Sequence, residues 1–270
     1  MTTKSGLPYP ARWHAHRPVI LGVTGIAALI AGWELASRSG VANATFLPPA
    51  STVFGSLIGE VLDIDYWRSV GETLVAWAVG LVIAVLAGVA IGFLIGRSGF
   101  RRKATRSTIE FLRPIPSVAL VPLAVLLYGQ QLPSTLILVI YAGFWQMLVQ
   151  VLYGVAEVDP VALNTARSFR ISAFGQLRHV IFPSALPYLL TGIRLAATVA
   201  LVLAVTAEMV IGSPGIGQRI LLVQSAGGTA QLYALVLTTG LLGVGINLLL
   251  RRAERALLVW HASVRSEVPA

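Results

Sequence analysis

Long apolar runs separated by short polar stretches are the main pattern of this chain. The runs are close to the roughly 20 residues that a helix needs to cross the hydrocarbon core of a bilayer. They are too long and too uniform for barrel strands, which are roughly 10 residues of alternating character. The pattern predicts an all-α integral membrane protein with about six transmembrane helices, at residues 19–36, 70–96, 109–127, 134–153, 189–211 and 232–250.

The composition supports this prediction and narrows the function. Of the 270 residues, 56% are hydrophobic and 11% are charged, whereas soluble domains carry roughly 25% charged residues. The net charge of +9 is divided among short clusters between the apolar runs, so it indicates membrane topology and no nucleic-acid partner. The chain contains no cysteine, which excludes disulfides, thiol nucleophiles and cysteine metal ligands.

The positions of lysine and arginine predict the orientation, because cytoplasmic segments are enriched in both. Most basic residues fall in four segments, 1–18, 97–106, 167–178 and 251–265. The segments on the opposite side contain fewer basic residues and more acidic ones, namely Arg38, Arg68, Arg219, Glu60, Asp63 and Asp65. Both termini are therefore predicted to be cytoplasmic.

This topology divides the chain into an N-terminal tail at 1–18, a single transmembrane domain at 19–250 and a C-terminal tail at 251–270. A cytoplasmic loop at 155–186, here called the basic segment, interrupts the transmembrane domain. An alternative interpretation treats the first apolar run as a cleavable signal, because Ala42-Asn43-Ala44 is similar to a cleavage site.

The polar residues exclude several enzyme classes. A P-loop ATPase needs a glycine-rich turn followed by a lysine, but Lys4 and Lys103, the lysines of this chain, follow no such turn. The histidines form no metal-ligand pattern; they are His14, His16, His179 and His261. We therefore expect no metal site, no catalytic residue and no cofactor bound by this chain, and any ATP hydrolysis in a separate subunit.

The basic segment has helical character. Asp159 followed by Pro160 is typical of a helix N-terminus, where the carboxylate caps free amides. Apolar or small residues then recur in two groups, Val161, Thr165 and Phe169, and Phe174, Leu177 and Ile181. Gly175 and Pro183 are expected turn or break points. Two such amphipathic helices either rest on anionic headgroups or dock a soluble partner.

The same segment carries a spaced motif. Asn164-Thr165-Ala166 is followed after three residues by Arg170, and after nine more by Val-Ile-Phe-Pro, which ends at Pro183. This spacing resembles the EAA loop of ABC importer permeases, which has Glu-Ala-Ala, a glycine and Ile-x-Leu-Pro at these positions. The departures from that pattern are Asn164, Thr165, Arg170 and Phe182. The resemblance implies a coupling helix in a groove of an ATPase, formed by Asn164, Thr165, Ala166, Arg167, Arg170, Gly175 and Pro183.

Four further motifs follow in one order: FLPPASTV at 46–53, LRPIPSVALVPL at 112–123, LPYLLTGIR at 186–194 and AEMVIGSPGIG at 207–217. Together they resemble permeases of the nitrate, sulfonate and taurine importer group. The resemblance implies a type I importer permease (MetI-like) fold in the bacterial plasma membrane and transport of a small anionic solute by alternating access. It also implies a second permease copy or close homologue, two cytoplasmic ATPase subunits that bind ATP and Mg, and an external substrate-binding protein.

Several polar residues lie in the apolar runs and have two interpretations each. Glu208 is either functional or a structural hydrogen-bonding group. Arg113 either pairs with Glu110, three residues earlier, or helps an anion to leave. Pro114, Pro116 and Pro122 either break a helix that lines the pathway or form a packing kink.

Two structural expectations complete the sequence analysis. Arg194 is expected to extend toward the headgroups. A row of glycines in the second run is expected to form a close-packing face, at Gly80, Gly88, Gly92 and Gly96. The alternative function is a gradient-driven carrier or channel without an ATPase, and a lipid-binding scaffold is a third.

Overall fold

The structure is a computed structural model that describes the backbone of residues 13–257 and the side chains of residues 20–257. Its helices are Trp13–Arg38 (α1), Ala50–Val61 (α2), Ile64–Gly96 (α3), Gly99–Leu112 (α4), Val121–Tyr128 (α5), Leu132–Ala156 (α6), Pro160–Ser168 (α7), Ala173–Gln176 (α8), Phe182–Ile211 (α9), Ile216–Ser225 (α10) and Thr229–Leu257 (α11). The expectations for several tail residues fall outside the described side chains, namely Lys4, Arg12, His14, His16, Arg17, His261 and Arg265.

The predicted all-α class is confirmed, since no strand occurs between residues 13 and 257. Five helical stretches are long and apolar enough to cross a membrane: Ile20–Arg38, Ile64–Gly96, Leu132–Ala156, Ala173–Ile211 and Thr229–Leu257. The third predicted span, 109–127, differs from the prediction of one helix. It is a pair of helical pieces, Gly99–Leu112 and Ser117–Tyr128, that meet at 78°.

Two prolines explain the break between these pieces. Pro114 and Pro116 lack the N–H that helix propagation requires. Leu112 is the last residue of α4, and its carbonyl accepts hydrogen bonds from the Ile115 N–H at 3.1 Å and the Tyr141 hydroxyl at 2.6 Å. A helix broken at membrane depth needs such replacement partners for its backbone groups. The structure therefore shows a broken helix at these two prolines, and its place along the pathway stays a prediction.

The parallel helices α3 and α6 approach closely along the predicted row of glycines. A Cβ added at any of these glycines would lie 3.0 Å or less from a side chain of α6; the pairs are Gly80 with Val139, Gly88 with Met147, Gly92 with Val151 and Gly96 with Val155. Gly143 of α6 approaches Ala84 in the same way, at 3.0 Å. The predicted close-packing face is confirmed.

Helix α9 packs against α6 in the opposite direction and also contacts α3, where the Trp77 indole N–H donates a hydrogen bond to the Ala197 carbonyl at 2.9 Å. A Cβ at Gly154 would lie 3.0 Å from the Ala185 Cβ, and one at Gly192 would lie 2.9 Å from the Gln150 Cβ. The face of α9 toward the bundle is rich in small, fully buried residues, namely Ala185, Ala196, Ala197, Ala200, Ala204 and Ala207. Small residues let helix backbones approach in lipid, where dispersion contacts replace the hydrophobic effect as the stabilising term.

A charged network joins three helices at the end of the bundle opposite the basic segment. The Arg219 guanidinium of α10 contacts Glu60 of α2 at 2.8 Å and also binds Asp63. Gln231 of α11 donates a hydrogen bond to Glu60. The Arg219 hydrogen bond holds the pKa of Asp63 below its ordinary value, and a backbone N–H from Asp65 acts in the same direction. Three of the charges predicted for this side, Arg219, Glu60 and Asp63, thus pair with one another.

The glycine row yields a stability prediction. Gly92→Ala places a Cβ 2.6 Å from the stiff Val151 side chain, so α3 and α6 must separate. Overpacking of this kind costs about 1–3 kcal/mol, and we expect a lower thermal unfolding midpoint for the purified protein in detergent. Gly71→Ala is the control, because the same helix has open space at that position. Equal midpoints for the two variants would contradict the packing assignment.

Candidate functional site

The basic segment folds as a helix, a tight turn and a second helix. Helix α7 begins where the sequence predicts, because the Asp159 carboxylate accepts a hydrogen bond from the Val161 N–H at 2.8 Å and Pro160 occupies the first turn. The α7 helix ends at Ser168. The chain then reverses within residues 169–172 and enters α8, which is capped by the Ser172 hydroxyl.

Arg170 lies at the centre of this turn in a left-handed conformation, with φ of +53°. The Arg170 N–H bonds the Arg167 carbonyl at 2.9 Å, and the Ile171 N–H bonds the Ala166 carbonyl at 3.0 Å. These two bonds define a Schellman motif, in which the left-handed position is usually glycine. The position that holds glycine in the EAA pattern is thus the left-handed residue of the turn, and the turn forms although arginine replaces the glycine.

The breaks predicted at Gly175 and Pro183 are wrong. Residues 173–211 form one continuous helical stretch, with a π-helical turn at Leu177–Ile181 between α8 and α9. The π turn widens the helix just before Pro183, where the proline ring would otherwise press on the carbonyl of His179. Gly175 lies inside α8, and its N–H donates to the Ser172 hydroxyl at 3.1 Å.

Helix α7 buries a different face from the one expected. Ala166 is buried and Leu163 packs into the cluster around Ile181, whereas Val161 and Phe169 are 70% and 78% exposed. Phe174 of α8 is 70% exposed as well. Their neighbours Asn164, Thr165, Arg167 and Arg170 are also exposed. We call the surface formed by Val161, Arg167, Phe169, Arg170 and Phe174 the coupling surface, after the role that the resemblance to the EAA loop implies. It combines exposed aromatic rings with positive charge.

Glu208 is the second candidate site, near the end of α9 remote from the basic segment. Its side chain is fully buried. Its Oε2 accepts hydrogen bonds from the Thr73 hydroxyl at 2.8 Å and the Gly217 N–H at 2.9 Å. The Thr73 oxygen in turn accepts one from the Ile216 N–H at 2.9 Å. The carboxylate therefore joins α3, α9 and the start of α10.

The loop that covers Glu208 needs its glycines. A Cβ at Gly215 would lie 2.2 Å from the Glu208 Cδ, and a Cβ at Gly217 would lie 2.2 Å from the Val205 carbonyl oxygen. The Gly-Ile-Gly end of the motif at 207–217 thus lets the backbone close over the carboxylate. Thr73 escaped the sequence analysis, because it precedes Glu208 by 135 residues and only the fold brings the two together.

Two expectations about arginines need correction. Glu110 pairs with Arg106 at 2.8 Å, one helical turn earlier, instead of with Arg113. Arg113 is exposed and has no ion pair or hydrogen bond from its side chain to any described residue. Arg194 contacts Glu254 of α11 at 3.2 Å, so it is paired with another helix instead of reaching to the headgroups alone.

Comparison with known proteins identifies the family. A family model described as binding-protein-dependent transport system inner membrane component matches residues 80–258. This range is more than half of the chain and contains the basic segment, Glu208 and most of the helical core. The chain belongs to this family. It is therefore a transporter permease, and the resemblance noted for the EAA-like spacing is confirmed at the level of the family.

Several permeases are similar to it over most of their length. The taurine transport system permease protein TauC of Escherichia coli (strain K12) is 30% identical over 262 residues, 94% of each chain. The putative aliphatic sulfonates transport permease protein SsuC of Bacillus subtilis (strain 168) is 28% identical. The alignment covers 88% of the present chain and 86% of SsuC. The bicarbonate transport system permease protein CmpB of Synechococcus elongatus is 30% identical. The alignment covers 74% of the present chain and 75% of CmpB.

A solved structure supports the fold. A chain of the MetNI methionine ABC transporter aligns with a TM-score of 0.62 and 20% sequence identity. The alignment covers 71% of the permease and 95% of that chain. The predicted MetI-like fold of a type I importer permease is confirmed.

The left-handed turn yields a prediction. Arg170→Gly removes the Cβ that makes a left-handed conformation unfavourable by roughly 1–2 kcal/mol, so we expect a higher thermal unfolding midpoint. Arg170→Ala is the control, because it removes the charge and keeps the Cβ. An equal rise in both variants would show that charge repulsion, and not backbone conformation, destabilises the turn.

The hydrogen bonds around Glu208 yield a further stability prediction. Thr73→Val keeps the shape of the side chain but leaves the Ile216 N–H without its acceptor and Glu208 with one donor fewer. We expect a loss of about 1–3 kcal/mol, measured as a lower unfolding midpoint, together with faster proteolysis in residues 212–225. In the control, Thr239→Val, the lost hydroxyl bonds only the Val236 carbonyl of its own helix. A normal midpoint for Thr73→Val would contradict the proposed anchoring.

Proposed function

We propose that this permease is the membrane-spanning subunit of an ATP-driven importer and that the basic segment docks a cytoplasmic ATPase. The observation that carries the proposal is the coupling surface. Large apolar side chains and arginines exposed together on a rigid helix–turn–helix are typical of a protein interface, in which aromatic residues and arginine are enriched. The turn that presents them forms at the glycine position of the EAA pattern.

The continuous helix 173–211 supports a mechanism for coupling. It begins beside the coupling surface and ends three residues after Glu208, which holds α3 and the loop before α10. A displacement of α8 by the ATPase is transmitted along this helix, since a helix is stiff along its axis. The α9 helix then moves against α6 and α3, and the pathway opens alternately to the two sides of the membrane.

The proposed partners supply functions for which this chain has no residues, above all ATP binding. The chain has no P-loop lysine, so ATP and Mg bind to two separate ATPase subunits. A second copy or close homologue of the permease completes the pathway, and an external binding protein delivers the solute. The excess of arginine around the basic segment favours a cytoplasmic location for this end of the bundle and for both termini.

The solute is a small anion or sulfonate. The relatives described above are named for taurine, aliphatic sulfonates and bicarbonate, which share an anionic oxyacid group. Taurine and simple alkanesulfonates are therefore the first solutes to measure, followed by nitrate and bicarbonate.

Charge reversal of the coupling surface tests the proposal. In the double variant Arg167→Glu with Arg170→Glu, like charges replace complementary ones at the interface, which costs several kcal/mol. We expect co-purification of the ATPase and ATP-dependent uptake to fall at least about tenfold. Arg251→Glu with Arg252→Glu is the control, because it reverses two exposed charges on α11 outside the coupling surface.

Two outcomes would contradict the proposal. Normal ATPase recovery and normal uptake with the Arg167 and Arg170 double variant would show that docking occurs elsewhere. Solute uptake by the permease alone in liposomes that contain an ion gradient and no ATPase would favour the gradient-driven carrier. The thermal unfolding midpoint of the double variant is measured as well. A midpoint close to that of the unmodified permease shows that the loss of ATPase binding arises at the interface and not from unfolding.

A further inference from the structure

A charged groove lies between α4 and α6. It has a volume of about 380 Å³ and is lined by Arg102, Arg106, Glu110 and Arg113 on one side and by Val149 and Tyr153 on the other. The four charged residues follow one another at intervals of three or four, so they form a single stripe along α4. The stripe contains three positive charges and one negative charge.

The stripe extends from the basic end of the bundle to membrane depth. The last residue of α4, Leu112, accepts a hydrogen bond from Tyr141. Tyr141 is the tenth residue of α6, which places it about 14 Å from one end of that helix and about 22 Å from the other. Arg113 follows Leu112 directly, so its backbone lies level with the middle part of the membrane-spanning helix α6, and its side chain lines the groove beside Val149, toward the basic end.

The charges along the stripe are unevenly paired. Glu110 binds Arg106 at 2.8 Å and neutralises it. Arg113 has no such partner among the described residues and is exposed. A bare arginine in hydrocarbon is costly, and arginines at this depth face a water-filled cavity or another protein surface. The groove side of α4 therefore faces water at the level of Arg113.

We propose that this groove is an anion-binding path for the inner half of translocation, with Arg113 as its deepest binding group. The guanidinium presents a planar set of donors that matches two oxygens of a sulfonate or another small oxyanion. The Arg106–Glu110 pair lowers the positive charge between Arg113 and the basic end, so that a bound anion leaves instead of remaining trapped. This inference rests on the proposed function, since it assumes an anionic solute that passes inward.

A lipid phosphate has the same oxyanion chemistry as the solute, and the depth of Arg113 favours the transported solute as its ligand.

Because the chain contains no cysteine, thiol labelling provides a direct test of whether water reaches Arg113. Arg113→Cys and Phe111→Cys each introduce one thiol into the permease, two residues apart on the same piece of chain. Phe111 is 74% exposed but does not line the groove, so it is expected to face lipid.

The complex of permease, ATPase and binding protein is placed in nanodiscs of neutral phosphatidylcholine and treated with a methanethiosulfonate reagent that itself carries a sulfonate. We expect the Arg113→Cys thiol to react at least about tenfold faster than the Phe111→Cys thiol, because thiolate chemistry needs water. Excess ethanesulfonate should slow the reaction. Equal rates at the two positions, or protection by added anionic lipid but not by ethanesulfonate, would overturn the proposal.

Uptake measurements provide a second test of the Arg113 proposal. We expect Arg113→Gln to lower ATP-dependent uptake of taurine or ethanesulfonate at least about tenfold, and Arg113→Lys to recover only part of it, because an ammonium keeps the positive charge but lacks the planar pair of donors. Arg101→Gln, on the same helix but outside the groove, should transport normally. If the unmodified complex shows no ATP-dependent uptake, the proposed function fails. If it transports and Arg113→Gln is unimpaired with a normal unfolding midpoint, only the groove assignment fails.

Discussion

The close approach of α3, α6 and α9 is the constraint on which the rest of this permease depends. In a bilayer, apolar side chains gain little by leaving lipid for protein, so helices associate through tight packing and a few polar contacts. The glycines at 80, 88, 92 and 96 let α6 lie against the backbone of α3. With α3, α6 and α9 packed against one another, the Thr73 hydroxyl reaches the Glu208 carboxylate and the polar centre forms.

One long helix connects the two candidate sites. The stretch from Ala173 to Ile211 starts at the turn of the basic segment and ends beside Glu208. Its lower part leaves aromatic side chains exposed, and its upper part is anchored through hydrogen bonds to two other elements. The same helix thus presents a surface for a partner at one end and a fixed contact at the other, the arrangement that a mechanical coupling element needs.

Charged and polar side chains that pair within this chain have a structural role, which distinguishes them from the unpaired ones. Arg219 binds Glu60 and Asp63, Arg194 binds Glu254, and the broken end of α4 is satisfied by Tyr141. These groups stabilise the fold. Arg113 and Arg170, to which the proposals assign an anion and an ATPase, are among the arginines that the described fold leaves exposed without an acidic partner. An unpaired charge in or beside a bilayer is a sign of function because burying it unpaired is so costly.

The sequence alone determined the helical class, five of the six predicted spans, the charge difference between the two ends, the glycine face and the start of α7 after Asp159. These features depend on local periodicity and on residue type, which neighbouring positions reveal. Tertiary structure decided the partner of Glu208, the pairing of Glu110 with Arg106, the exposed face of α7 and the continuity of the helix through Gly175 and Pro183. Each of these depends on contacts between residues far apart in sequence or on a choice between nearly equal local conformations. The left-handed Arg170 shows the reason most clearly: local sterics disfavour that conformation, and two backbone hydrogen bonds within the folded turn stabilise it.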